Sequence, residues 1–313
     1  MKYLLYLVTL LLALPLLAQP SAAQPGAAQP NAAQPGVGQP KHVIVIGIDG
    51  LSPDGIQKAT TPVLDSLMRT GAYSFTAKAV YPSSSSPNWA SMITGTSPAH
   101  HEIWSNKWKR SDIADLSYCG GAKGQLFPTI FRVLREKMPQ ATIATFYDWD
   151  DFGRLLEDDV CTVKEDRTGE DDTAKRAAAY ITDNKPAFTF VHVDHFGHEI
   201  GHGTPAYYGA VSKADSLIGQ IMNAVRKAGI SNETVVIVTA DHGGINKGHG
   251  GTSPAEMNIP WIISGKGIRK NVQLKQPIDT FDTAVTVAHL FRATTPTCWT
   301  GKPVLEAFMG NGR

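Results

Sequence analysis

Seven side chains between Asp49 and His249 are of types that bind divalent metal ions, and one of them, Ser85, is also a nucleophile. They stand in four stretches: Asp49 in VIVIGIDG, Ser85 in YPSSSSPNWASMITG, Asp194 and His198 in VDHFGHEIGHG, and Asp241, His242 and His249 in VVIVTADHGGINKGHGG. Carboxylates and imidazoles in this proportion suit a pair of divalent, zinc-like ions. Two such ions about 3.5–4 Å apart stabilise the attacking and leaving oxygens of an in-line displacement, so the chemistry indicated is two-metal hydrolysis.

The spacings support that reading locally. Asp194 and His198 are four residues apart, which can turn both toward one ion from a helical turn or a compact loop. His195 and His202 lie close by in sequence, and the sequence alone leaves either as an alternate to His198. Asp241 and His242 cap an apolar run and precede two glycines, while His249 follows His242 by seven residues inside a glycine-rich loop. After the four-serine run, Pro87 suits the first turn of a helix that Asn88 to Met92 can continue. Ser85 is then expected just before a helix N-terminus, where backbone N–H groups favour a phosphoryl anion. A metal on its hydroxyl would lower the pKa and generate the alkoxide.

The elements that must position these groups are short, uniformly apolar runs alternating with amphipathic segments. HVIVIGI (42–48), ATIATF (141–146), AFTFVHV (187–193) and TVVIVTA (234–240) are too evenly apolar for half-exposed strands and read as buried parallel ones, with IPWIISG (259–265) as a further member. Helices are expected over 61–71, 88–94, 128–138, 172–184, 207–228 and 280–292. The alternation predicts a doubly wound, mostly parallel α/β sheet with helices on both faces. Asp49, Asp194 and Asp241 each stand just past the carboxyl end of an expected strand, the edge at which such sheets build sites.

Lys and Arg number 29 against 28 Asp and Glu, which leaves no basic surplus to indicate a nucleic-acid-binding surface. The start of the chain, with Lys2, an apolar run from Leu4 to Ala18 broken at Pro15, and Ser21-Ala22-Ala23, has the layout of a secretory signal over 1–23 rather than a lasting anchor. Residues 24–40 repeat Ala, Gln and Pro and read as an extended, disordered linker, leaving 41–313 as a single catalytic domain. The protein is therefore expected to be secreted or periplasmic, with no stable membrane anchor after cleavage. In an oxidising compartment Cys119, Cys161 and Cys298 allow at most one intramolecular pair, which the sequence does not choose.

The order IDG, Ser-x-Pro-Asn, Asp-x-x-x-His, Asp-His-Gly and a late His resembles the alkaline phosphatase superfamily, and within it the nucleotide pyrophosphatase/phosphodiesterase branch, over Lys41 to the C-terminus. In that branch a Thr or Ser two residues before Pro-Asn is the nucleophile, which the resemblance assigns to Ser85 rather than Ser83, Ser84 or Ser86. The resemblance also implies two zinc ions, one held by Asp194, His198 and His249, the other by Asp49, Asp241, His242 and Ser85. It implies attack by Ser85, a phosphoserine intermediate, and a non-bridging oxygen bound by Asn106 and the Ser86 backbone N–H. The substrate is then a small phosphate ester or nucleotide.

Three features depart from the branch or compete with it. Only seven residues separate His242 from His249, where the branch generally has a long insertion, and Ser86 replaces a bulky apolar residue, so a hydrophobic nucleoside slot is not carried over. Sulfatases need a Cys or Ser in a pattern ending Pro-x-Arg, whereas here it ends Pro87-Asn88-Trp89. A phosphomonoesterase is the main rival. For that reaction Lys107, a substrate-binding candidate, with Lys109 and Arg110 stands where a dianion's extra charge can be met, or forms a solvated face. A non-catalytic metal- or carbohydrate-binding protein would need neither the Ser85 hydroxyl nor Asn106. The acidic segment Asp148 to Asp159 is read either as a solvated turn or as lining the substrate mouth.

Overall fold

Among the residues described by the computed structural model, namely 38–113, 119, 125–194 and 200–310, the apolar runs form the middle of one eight-stranded sheet. The strands are β1 (His42–Ile48), β2 (Gly71–Lys78), β3 (Ile143–Tyr147), β4 (Val163–Asp166), β5 (Phe188–Val193), β6 (Thr234–Thr239), β7 (Asn258–Gly265) and β8 (Val272–Gln273). Their order is β4-β3-β5-β1-β6-β7-β2-β8. Every residue of β3, β5 and β6 is buried, as the unbroken apolar character of those runs requires of strands covered on both faces.

Ten helices accompany the sheet among the described residues: α1 (Pro53–Lys58), α2 (Pro62–Thr70), α3 (Ser85–Thr94), α4 (Pro98–His101), α5 (Ile130–Lys137), α6 (Asp150–Gly153), α7 (Gly169–Asn184), α8 (Pro205–Lys227), α9 (Pro254–Met257) and α10 (Asp282–Leu290). One group packs α3, α5 and α10 together, and a second packs α1, α2 and α7 against α8. The doubly wound, mostly parallel architecture follows. The start signals are local: Pro occupies the first turn of α1, α2 and α8, and the Thr204 side chain caps α8 by accepting from the Tyr207 N–H.

Two expectations need correction. IPWIISG is a buried strand, but it runs antiparallel to both β6 and β2. Its burial matches that of its parallel neighbours, so the residue pattern carries no direction. The segment between β6 and β7 has only the four-residue α9 and no long crossover helix, and the chain therefore returns antiparallel. The strands β2, β4 and β8 were not anticipated because they lie at or near the sheet's margins. There one face is partly solvated, and β4 alternates between exposed and half-buried positions.

Cys119 and Cys298 form the disulfide, with Cα atoms 5.5 Å apart, and Cys161 is the remaining thiol. Burial pushes the Cys161 thiol up to about 12, which makes it a poor nucleophile. No helix among the described residues is long and apolar enough to cross a membrane.

The contact that seats α3 on the sheet is between Trp89 and Gly47 of β1. A Cβ at Gly47 would lie 2.5 Å from a carbon of the buried Trp89 ring, so only glycine lets the helix approach this closely. Phe152, Phe190 and His192 pack edge-on around the same indole. Gly47→Ala is accordingly expected to destabilise the fold by about 1–3 kcal/mol, the usual cost of overpacking a filled core. Urea unfolding with an unchanged midpoint would refute that account.

Candidate metal centre and nucleophile

Strand register brings three carboxylates to one level. Ile48 of β1 pairs with Val193 of β5, and Gly47 pairs with Thr239 of β6. Continuing both ladders past their last pairs sets Asp49 beside Asp194 on one side and Asp241 on the other, and the Asp49 N–H donates to the Val193 carbonyl at 2.9 Å. All three aspartates are buried. The sheet thus delivers them where β5, β1 and β6 end together, as expected of the carboxyl edge.

Ligand atoms of Asp49, Asp241 and His242 lie within 4.8 Å of one another, and the three residues are almost completely buried. Burial first, and then the Asp49 carboxylate, pushes the Asp241 carboxyl well above its ordinary range. Burial likewise pushes His242 down to about 4, so its imidazole is neutral at physiological pH. Its Nδ1 sits 2.7 Å from the Gly243 carbonyl and donates to it, which leaves the lone pair on Nε2. That Nε2 is 3.2 Å from Asp241 Oδ2, a buried oxygen with no hydrogen-bond partner. Two lone-pair atoms facing each other beside a second carboxylate are a donor set that a divalent cation fits, and oxygen and imidazole donors of this kind suit zinc.

The remaining oxygen of Asp241 is fixed by two backbone donors, the Gly50 N–H at 3.1 Å and the His242 N–H at 2.9 Å. His249 stacks on His242 with ring centroids 4.0 Å apart, and its Nδ1 donates to the Ser83 carbonyl at 3.1 Å. The two imidazoles therefore direct Nε2 in the same chemical sense. The loop that carries them is clamped by α9: the Gly243 and Gly244 N–H groups donate to the carbonyls of Glu256 and Ala255, and Glu256 accepts from the Gly251 N–H. A Cβ at Gly243 would meet the Ala255 carbonyl oxygen at 2.1 Å, so the second half of the Asp-His-Gly signature is a packing requirement. Ser253 and Glu256 form a capping box at the start of α9, which fixes Glu256 against this loop.

Ser85 is buried and places its Oγ 3.3 Å from His242 Nε2, next to the cluster. It stands in the first turn of α3, with Ser84 at the N-cap, rather than just ahead of the helix. The four-serine run is rigidly tied. Asn88 donates to the carbonyls of Val80, Pro82 and Ser84 and accepts from the Val80 N–H, and Ser83 Oγ donates to the Gly251 carbonyl while accepting from the Gly250 N–H. The Asn of the Pro-Asn pair therefore shapes the loop that carries the hydroxyl.

The Ser86 N–H, expected to meet a phosphoryl oxygen, donates instead to Asn106 Oδ1 at 2.8 Å. This bond fixes the Asn106 amide through its oxygen and does not use Nδ2. His202 joins two loops: its Nε2 donates to the Gly50 carbonyl at 2.9 Å, and its N–H donates to the Asn246 carbonyl. Both ring nitrogens of His202 thus face backbone carbonyls, Nε2 that of Gly50 and Nδ1 that of Asn246. His195 and His198 lie outside the described residues. Lys107, Lys109 and Arg110 are exposed, and Arg110 pairs with Asp158.

The acidic segment is not a free mouth. Asp148 is withdrawn and accepts from the Asp194 N–H at 2.8 Å, Asp151 pairs with Arg154, Asp159 pairs with Arg132, and Glu157 binds Thr129. Asp148 is a support for Asp194 that no local pattern announced.

Residues 43–247 match the family described as Type I phosphodiesterase / nucleotide pyrophosphatase. Ectonucleotide pyrophosphatase/phosphodiesterase family member 3 of Mus musculus is 23% identical over 242 residues, covering 64% of this chain and 24% of that protein. Arylsulfatase K of Danio rerio is 30% identical over 89 residues, covering 27% of this chain and 17% of that protein. The chain thus spans a quarter or less of the length of these relatives. Among solved structures, murine ectonucleotide pyrophosphatase/phosphodiesterase 5, an inactive variant in complex with AMP, has a TM-score of 0.67 at 16% identity, covering 82% of this chain and 96% of that one. A 2-O GAG sulfatase also has a TM-score of 0.67 at 16% identity, covering 85% and 73%. At these identities the structural likeness establishes the shared fold.

If Asp241 and His242 bind a divalent ion, Zn2+ added to chelator-stripped protein should raise Tm, with stabilisation of about 2.7 kcal/mol at one hundred times Kd. Asp241→Asn should lose most of that response in scanning fluorimetry. An equal shift in the variant would remove Asp241 from the centre.

Proposed function

The chain belongs to the Type I phosphodiesterase / nucleotide pyrophosphatase family, and on that footing we propose that it is an exported phosphodiesterase acting through Ser85. What carries the reading is a buried hydroxyl, Ser85 Oγ, 3.3 Å from His242 Nε2 and beside the Asp49, Asp241 and His242 cluster. A serine in such surroundings is positioned for attack on phosphorus rather than for solvation. The ions would be two Zn2+, one held by Asp49, Asp241, His242 and Ser85, the other by Asp194, His198 and His249. Bound there, they would supply charge neutralisation on the reacting oxygens and a lowered hydroxyl pKa.

The chain's own groups account for the rest. Ser85 gives up its hydroxyl proton as Oγ forms the bond to phosphorus, the ester oxygen opposite it departs and takes up a proton as the alcohol, and water later cleaves the phosphoserine P–O bond, returning a proton to Ser85 and releasing the phosphomonoester. Asn106, oriented by the Ser86 N–H, offers its Nδ2 to a non-bridging oxygen and so strengthens as charge develops. The substrate is a small phosphate ester or nucleotide. Export is supported by the signal-like residues 1–23 and the Cys119–Cys298 disulfide, with 24–40 as tether and 41–313 as the catalytic domain.

Sulfatase activity is disfavoured by Trp89. In the position where the sulfatase pattern has Arg, its indole is fully buried against Gly47 and turned into the core. The competing phosphomonoesterase reading draws on Lys107, exposed next to Asn106 and able to meet the second charge of a monoester.

Relative kcat/KM of zinc-loaded protein on bis-p-nitrophenyl phosphate, thymidine 5′-monophosphate p-nitrophenyl ester and p-nitrophenyl phosphate at alkaline pH separates the two. Preference for the diesters is expected, and preference for the monoester would establish the phosphatase. Ser85→Ala should lower kcat by more than about 10³-fold, as loss of a nucleophile does, with metal content unchanged by mass spectrometry. A fully active variant would show that another group attacks.

A further inference from the structure

The geometry points to Arg154 as the positioning residue that holds Asn106 in register with Ser85. This rests on the proposed role of Asn106 in binding a phosphoryl oxygen. Asn106 sits on the loop between α4 and the single 3-10 turn at Arg110–Asp112, so no regular element fixes it. Its side chain is set by the Ser86 N–H, but its backbone is set from the other side of the site. Arg154 Nη2 donates to the Asn106 carbonyl at 3.1 Å, and Nη1 donates to the Trp108 carbonyl at 3.0 Å.

One planar guanidinium thus spans two carbonyls two residues apart, with Asn106 at one end of the span. The fork is itself constrained. Asp151 pairs with Nη2 at 2.7 Å, and the guanidinium carbon lies 5.2 Å from the centroid of the buried Trp108 ring. Arg154 directly follows α6, in the chain that leaves β3, and the same segment supplies Asp148 to the Asp194 backbone. A lysine could keep the charge and the stem over Trp108 but could not bond both carbonyls in a plane. Asp151, which the sequence offers as a mouth residue, acts here as the brace of the brace.

The test is a double-mutant cycle of Arg154→Ala and Asn106→Ala, read both as kcat on bis-p-nitrophenyl phosphate and as the Kd of inorganic phosphate by calorimetry. Arg154→Ala should lower kcat by about 10- to 100-fold, the scale of a misplacement near 1 Å. In the Asn106→Ala background the same substitution should change kcat and Kd by less than roughly threefold, because it acts through the group already removed. Added guanidinium should restore part of the Arg154→Ala loss and none of the Asn106→Ala loss. Full activity in Arg154→Ala, or losses that multiply in the double variant, would overturn the assignment. If Arg154→Ala does not fold, Arg154→Lys enters the same cycle under the same criteria. Wild-type protein that is inert on every phosphate ester while binding Zn2+ would instead overturn the functional reading from which this one starts.

Discussion

Asp49 and Asp241 lie together with His242, all three almost completely buried, and the sheet holds the two carboxylates side by side. Two carboxylates so placed cost several kcal/mol each to desolvate and repel one another besides. Protonation relieves part of that, which is the sense of the upward shift at Asp241. A divalent cation relieves more, since it answers both carboxylates and the Nε2 lone pair at once. The parallel register of β1 with β5 and β6 creates this conflict and therefore the site. Everything around it serves to hold the conflict in place.

The loops at that edge are held by contacts that cross the sequence. The serine loop and the histidine loop share Ser83, whose carbonyl and hydroxyl bond His249, Gly250 and Gly251. The Asp49 and Asn246 loops share His202, and the Asp241 loop leans on α9. A nucleophile and its neighbours on separate loops keep a common geometry only if the loops are bonded to one another. Ser83 and His202 are buried polar side chains of this kind, each bonded to a different segment.

The chain after β3 plays a similar part with charge. Asp148, Asp151 and Arg154 are all engaged with the backbones of Asp194 and Asn106 or with each other, and the Phe152 between them packs on Trp89 and His192. Asp148 and Asp151 are therefore supports, while Asp158 and Asp159 remain exposed beside Arg110 and Arg132. The composition of the acidic run alone resembles a solvated turn, because a supporting carboxylate and a solvated one are the same residue.

The residues by themselves determined the runs 42–48, 187–193 and 234–240 as buried strands and set an aspartate just beyond each, since burial on both faces demands a predominantly apolar stretch and the first charged residue marks its end. They determined the six longer helices, because Pro starts and amphipathic periods are local, but not α1, α4, α6 and α9, which are too short to show a period. Tertiary structure decided the direction of β7, the engagement of Ser86 with Asn106, the commitment of His202 to Gly50, and the hold of Arg154 on Asn106. Each of these depends on segments from about twenty to more than a hundred and fifty residues apart meeting across a sheet edge. Periodicity reports how a segment faces its surroundings, and it carries no information about which distant segment those surroundings will be.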